Sequence, residues 1–264
     1  MAGVIADMPE SAPEIVALAA ARAEVLARIA AACARVGRDP AEVTLVAVSK
    51  TVEAGRLRDA VAAGLTLLGE NRVQEGAAKA PDVPGARWQL ISPLQSNKAR
   101  RALEVYELIQ SVESVGLAER LDRLAREVRG AGPSSRYPVL LQVNVDDDPA
   151  KAGFAPSALP GALDRIAALD ALDVRGLMTI GRLVGNAEAA RPTFATLRDL
   201  RERLRTGGPT LGTDLSMGMS DDFEVAVEEG ATIVRVGRAI FGERPHRHGP
   251  GADHHGPGTV DHSH

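Results

Sequence analysis

Val43-Thr-Leu-Val-Ala-Val-Ser49, closed by Lys50, is the stretch on which the fold turns. It is a continuous apolar, β-branched run of strand length, the pattern of a strand covered on both faces, as in a parallel sheet. The residues after Ser49 separate the two common parallel architectures. A doubly wound dinucleotide-binding sheet carries a glycine-rich loop after its first strand, whereas this chain continues Lys50-Thr-Val-Glu-Ala54. Further along, short apolar runs alternate with amphipathic stretches. Candidate strands lie at 43–49, 65–69, 88–91, 107–111, 138–144, 174–178, 213–217 and 232–236. Candidate helices lie at 53–63, 72–80, 96–104, 114–129, 156–169, 186–206 and 220–229, with a short one at 238–242. Eight β units with helices between them predict a single (β/α)8 TIM barrel. An open doubly wound sheet is the alternative.

An extra helix precedes the barrel, at about 14–36. Ser11 and Glu14 make a capping-box pattern, and Ile15, Leu18, Leu26, Ile29, Cys33 and Val36 recur at helical spacing. Gly37 and Pro40 end it. The domain division expected is 1–12 as a flexible N-terminus, 13–244 as the barrel, and 245–264 as a disordered tail. All six histidines fall in that tail, from His246 onward, among glycines and prolines. They offer weak metal affinity without fixed geometry, and they leave the body without a histidine base.

The 264 residues are 45% hydrophobic with a net charge of −4, enough for a full core and without a basic run. That disfavours nucleic acid or an anionic membrane as the main partner. Cys33, the single cysteine, excludes an internal disulfide and fits a reducing compartment; on the apolar stripe of its helix it reads as an inert buried thiol. With no signal-like segment and no apolar run of membrane-span length, a cytoplasmic protein is expected.

Chemistry in such a barrel sits at the carboxyl ends of the strands, and those ends are polar here. They read Ser49-Lys50, Gly69-Glu70-Asn71, Ser92-Pro93, Gln110-Ser111, Gln142-Val-Asn144, Gly176-Leu-Met178, Leu215-Ser-Met-Gly-Met-Ser220 and Val234-Arg-Val-Gly237. Lys50 is one of only four lysines, the other basic residues being arginine. A lysine amine with a lowered pKa can condense with an aldehyde; arginine cannot. Taken alone, Lys50 reads more simply as a packed stem with a solvated ammonium. Ser216, Gly218 and Ser220 before a helix suit a phosphate, with Ser220 or Asp221 as the cap and Glu224 nearby. Gly237 on the next strand allows close backbone approach. Arg235 shares a strand face with Ile233 and Gly237. Buried there, its guanidinium needs either a ring nitrogen or a neighbouring carboxylate. Lys98 and Arg100 read as solvent-facing, Lys151 as a loop ion pair, and Trp88 as core.

Taken in order, Ala47-Val-Ser-Lys50, Gly69-Glu-Asn71, Leu94-Gln-Ser-Asn-Lys98, Lys151-Ala-Gly-Phe154, Leu215-Ser-Met-Gly-Met-Ser220 and Val234-Arg-Val-Gly237 through Ile240-Phe-Gly242 resemble the pyridoxal phosphate homeostasis protein family. The likeness covers about 15–244 and implies an alanine racemase N-terminal domain-like barrel. It implies that Lys50 holds pyridoxal 5'-phosphate (PLP) covalently as a Schiff base. It implies that Ser216, Met217, Gly218, Ser220, Gly237 and the Arg238 amide surround the phosphate, that Arg235 faces the pyridine nitrogen, and that Asn71 lies beside the ring. The chain departs from the family pattern at Gln89, where His is usual, at Ser92 for Gly, at Arg238 for a small hydroxyl residue, and at Arg72 for a frequent tyrosine.

Two functions remain open. One is a non-catalytic carrier, expected to be a monomer, that buffers PLP and hands it to apoenzymes. The other is a PLP-dependent amino-acid racemase, which needs a base on each face of the carbanion. Beyond Lys50 the body offers only Tyr106 and Tyr137, before the fourth and fifth strands and away from the site. That favours the carrier. A barrel binding another phosphorylated metabolite is a third reading.

Overall fold

The structure is a computed structural model that describes residues 12–130, 132, 135–181, 185–207 and 211–243. Helix α1 (Ala12–Arg35) leads into β1 (Thr44–Val48), α2 (Ala54–Ala62), β2 (Leu67–Glu70), α3 (Val73–Lys79), β3 (Arg87–Leu90), α4 (Ala99–Val105) and β4 (Leu108–Val112). Then come α5 (Val115–Arg129), β5 (Tyr137–Gln142), α6 (Leu159–Ala167), β6 (Leu172–Met178), α7 (Arg191–Thr206), β7 (Asp214–Ser216), α8 (Phe223–Glu228), β8 (Ile233–Val236) and α9 (Arg238–Phe241). The strands form a closed barrel in chain order, and β1 pairs in parallel with both β2 and β8. The expected (β/α)8 barrel with its extra N-terminal helix is what the chain forms. Closure leaves no edge strand to protect.

Local chemistry sets the element ends. Ser114 caps α5, its hydroxyl accepting from the Leu117 N–H at 3.2 Å. The expected helices 156–169 and 186–206 start later than their apolar pattern suggests. Pro160 and Pro192 stand in the first turns of α6 and α7, where a missing N–H costs nothing. Asn186 caps a short 3-10 turn, Ala187–Ala190, ahead of α7. The Ser96–Lys98 segment is likewise a 3-10 turn rather than the first turn of α4.

Two apolar layers hold the fold. The large one lies between sheet and helices and includes Leu57, Leu121, Phe194, Leu197 and Phe223. Trp88 belongs to it, as expected. The small one fills the barrel itself with Val46, Leu108, Leu140, Met178 and Ile233. Helix α1 packs on α2, α8 and α9. Ion pairs Glu14–Arg56 at 2.6 Å, Arg28–Glu224 at 3.2 Å and Arg35–Glu228 at 2.6 Å line that seam. Cys33 is buried in the seam, and burial raises its thiol pKa, as suits an inert sulfur. Among the described residues no helix is long and apolar enough to cross a membrane. The Ser11 cap, the 1–11 segment and the His-rich tail lie outside the described residues.

Candidate functional site

Strand register brings the carboxyl ends of β1, β2 and β8 together: Val48 lies beside Gly69, and Val46 beside Arg235. Lys50 comes two residues after β1 and is half-buried. Its predecessor Ser49 is held on every side. The Ser49 N–H donates to the Gly69 carbonyl at 2.9 Å, and its hydroxyl donates to Glu70 Oε1 at 2.9 Å. Its carbonyl accepts from the Val52 N–H at 3.0 Å and from Lys79 Nζ at 3.1 Å. Lys79 also pairs with Glu70 at 2.7 Å. Glu70 is fully buried, and its Oε2 has no partner among the described residues. Thr51, directly after Lys50, has φ of 67°. A β-branched residue in the left-handed region carries strain of about 1–3 kcal/mol and persists only where its surroundings enforce it. Lys50 therefore sits on a fixed, strained turn.

The loops after β8 and β7 lie to the other side of β1 from β2, since β8 pairs with β1 and β7 with β8. Gly218 has φ of +89°, and a Cβ there would come within 2.5 Å of Ala226 Cβ, so only glycine fits. Its carbonyl accepts from the Arg235 N–H at 3.0 Å. Ser220 Oγ accepts from the Gly237 N–H at 3.2 Å and so ties the two loops together. Met217 is buried and bonded to Ile233. The amides of Gly218, Ser220 and Arg238 take no acceptor among the described residues. Three free N–H groups around a glycine turn form a concavity suited to an anion. The helix cap differs from the expectation: Asp222, not Ser220 or Asp221, stands at the start of α8, and its carboxylate accepts from the Met219 N–H at 2.6 Å. Burial raises the Asp222 pKa above the usual carboxylate range. Asp221 pairs instead with the Arg238 side chain, and Glu224 turns outward to Arg28.

Arg235 does face the barrel interior, and it is 3% exposed. Among the described residues no carboxylate is hydrogen-bonded to it. Its Nη1 donates to Ser216 Oγ at 2.5 Å and its Nη2 to the Thr179 carbonyl at 2.8 Å, both neutral acceptors. Burial lowers its pKa to about 10, with the Asp222 charge opposing that shift. Ser216, expected among the phosphate residues, is fully buried inside the barrel. Its hydroxyl donates onward to Gln110 Oε1 at 2.6 Å. Gln110 Nε2 donates to Gln89 Oε1 at 2.6 Å, and Gln89 Nε2 to Glu107 Oε1 at 3.3 Å.

Asn71 is half-buried at the end of β2, its carbonyl accepting from the Ser92 hydroxyl. Asn144 pins the next loop, its side chain bonding Asp148 and the Lys151 carbonyl. Lys151 makes the expected loop ion pair with Asp148 at 3.7 Å and also donates to the Ile180 carbonyl at 3.1 Å. Arg100 is exposed and Lys98 is half-buried. The Tyr106 hydroxyl reaches through the outer layer to the Arg72 carbonyl at 3.1 Å, and the Tyr137 hydroxyl donates to the Tyr106 carbonyl. Burial raises both phenol pKa values. Sequence reasoning gave no role to Lys79, Glu107 or Thr179. The signal for Gln89 and Gln110 was present: amides inside apolar strand runs.

The closed barrel is matched over residues 22–245 by the family model of the alanine racemase N-terminal domain. An alanine racemase from Clostridium difficile shares that fold, with a TM-score of 0.61 at 13% identity over 83% of this chain and 56% of its own. Much more similar are the pyridoxal phosphate homeostasis proteins of Pseudomonas aeruginosa, 44% identical over 84% of this chain and 94% of that one, and Escherichia coli K12, 38% identical over the same shares. The chain belongs to the pyridoxal phosphate homeostasis protein family. Among solved structures, PipY of Synechococcus elongatus with PLP bound is 43% identical, with a TM-score of 0.70 over 81% of this chain and 100% of that one.

Proposed function

We propose that this protein binds PLP in the barrel mouth, holds it as a Schiff base on Lys50, and maintains its intracellular level without turning over a substrate. The observation that carries the reading is Arg235: a buried guanidinium with two neutral acceptors and no hydrogen-bonded carboxylate among the described residues, below the strand end that bears Lys50. A neutral pyridine nitrogen is an acceptor of the right kind for such a cation. The PLP bound in PipY and the names of the close relatives support the same cofactor.

When bound, the cofactor supplies an aldehyde that condenses with a primary amine. The chain's own residues would do the rest. Ser49, clamped by Gly69, Glu70 and Lys79, fixes where the Lys50 amine starts from. The Gly218, Ser220 and Arg238 amides would take the phosphate, with Met217 and Gly237 shaping the turn. Ser216 supports Arg235 from below rather than joining the phosphate shell. Asn71 would lie beside the ring. Arg235 would hold the ring nitrogen unprotonated, which weakens the electron sink that substrate carbanions need, although racemases of this fold tolerate such a partner. A racemase also needs a second base, and both tyrosine hydroxyls are committed to backbone carbonyls. A cytoplasmic monomer that passes PLP to apoenzymes fits these features.

Borohydride treatment of the PLP-saturated protein, followed by peptide mapping, tests the reading. The expected result is one reduced adduct, on Lys50, absent from Lys50→Ala. Binding that is unchanged in Lys50→Ala would reject the Schiff base and favour a plain phosphate-ligand barrel. Steady formation of D-alanine or D-serine, lost in Lys50→Ala, would instead establish the racemase.

A further inference from the structure

Barrel interiors of this class are ordinarily filled by branched apolar side chains in layers. Here a file of polar groups crosses the interior. It starts at Glu107, one residue before β4, and runs through Gln89 on β3, Gln110 on β4 and Ser216 on β7 to Arg235 on β8. Gln110 and Ser216 are fully buried and Gln89 is 5% exposed, so each polar atom must find its partner inside the protein. The Arg87 guanidinium holds Glu107 in place with two bonds, at 2.8 and 2.9 Å.

The file has a direction, and its two ends impose it. Glu107 is a carboxylate and only accepts, so Gln89 must turn its NH2 toward it. The Gln89 oxygen then faces Gln110, whose NH2 donates to it. The Gln110 oxygen is left to face Ser216, whose only proton goes there. The Ser216 lone pairs are left for Arg235, which only donates. No amide in the file can flip without setting acceptor against acceptor or donor against donor. Buried bonds of this kind are stronger and mutually polarising, and costly to leave unmade.

We propose that Glu107, Gln89 and Gln110 are positioning residues: their one-way hydrogen-bond file locks the Ser216 hydroxyl as an acceptor and so fixes the Arg235 guanidinium in the orientation that meets the ring nitrogen of PLP. The inference rests on the reading that PLP binds against Arg235. It assigns a role to Gln89, for which the chemistry of the file allows one other side chain, histidine. A neutral imidazole has one N–H and one bare nitrogen, so it can donate to Glu107 and accept from Gln110 as the glutamine does.

The test uses full-length protein carrying Gln110→Met, Gln89→Met or Gln89→His, each checked for cooperative thermal unfolding. NMR of isotope-labelled arginine in the PLP-free protein reads the Arg235 guanidinium directly. The parent is expected to show slowly exchanging, rotationally restricted Arg235 protons. Both methionine variants are expected to lose that protection and to raise the PLP dissociation constant about tenfold. They should also shift the pH at which the Schiff-base absorbance titrates. Gln89→His is expected to keep the parental values. Parental Arg235 signals in both methionine variants would overturn the file's hold on the guanidinium. Altered signals with parental PLP affinity and absorbance titration would overturn the positioning role. A parent that forms no Schiff base would overturn the proposed function alone; loss of Arg235 protection in the methionine variants would still support the file.

Discussion

Outside the strands, between sheet and helices, the protein is packed with Leu57, Leu121, Phe194, Leu197, Phe223 and their neighbours. Inside the strands, Val46, Leu108, Leu140, Met178 and Ile233 share the space with polar side chains that include Gln89, Gln110, Ser216 and Arg235. The two layers answer to different demands. The outer one needs only volume and apolarity, and many residues supply it redundantly. The inner one includes a connected set of directional bonds, in which each amide is satisfied in one orientation only. Stability therefore resides mainly outside the wall, and the recognition of PLP proposed above would reside inside it.

That contrast can be broken by substitution. Phe194→Ala, at 1% exposure in the outer layer, is expected to destabilise the fold by about 3–5 kcal/mol in urea unfolding while folded molecules retain parental PLP affinity. Arg235→Met is expected to do the reverse. Removing a buried cation relieves its desolvation while leaving the Thr179 carbonyl without its donor, a net stability change within about 2 kcal/mol. Its PLP dissociation constant, read by equilibrium dialysis, should rise about 10–100-fold. A large stability loss with unchanged binding would erase the distinction between the layers.

The smallest effect sharpens it. Burial raises the pKa of Asp222, so its protonated form is favoured in the fold. Its contribution to stability is fully present below the ordinary carboxylate range and is lost as pH rises through the raised, folded value. Asp222→Asn keeps an acceptor oxygen for Met219 but does not titrate. The difference in Tm, variant minus parent, should grow by about 1–3 °C between about pH 3.5 and about pH 7. A flat difference would mean that this carboxylate is as well solvated as one on the surface.

Much of the fold and site was legible in the residues, and for identifiable reasons. Continuous apolar strand runs and the missing glycine-rich loop pointed to the barrel, because strand burial and loop chemistry are local properties. Lys50 and the Gly218 turn were legible because a lysine in a lysine-poor chain and a Ser/Gly-rich strand end are unusual in composition. The Asp222 cap was misplaced by one or two residues, since Ser220, Asp221 and Asp222 are all good caps and the ties to Gly237 and Arg238 distribute them. The clamp on Ser49 was not legible, because Lys79 reaches it from the far end of α3.

By itself the sequence determined the class of fold, the family, and which strand ends are polar, because all three are written in short-range pattern and motif. Only the tertiary structure decided which of those polar groups meet. Closing the barrel sets Ser216, Gln110 and Gln89 in one file although Gln110 and Ser216 are 106 positions apart in the chain. It also gives Arg235 neutral partners instead of a carboxylate. Hydrogen bonds depend on distance and direction between strands that sequence order leaves unspecified, and closure of the wall supplies both.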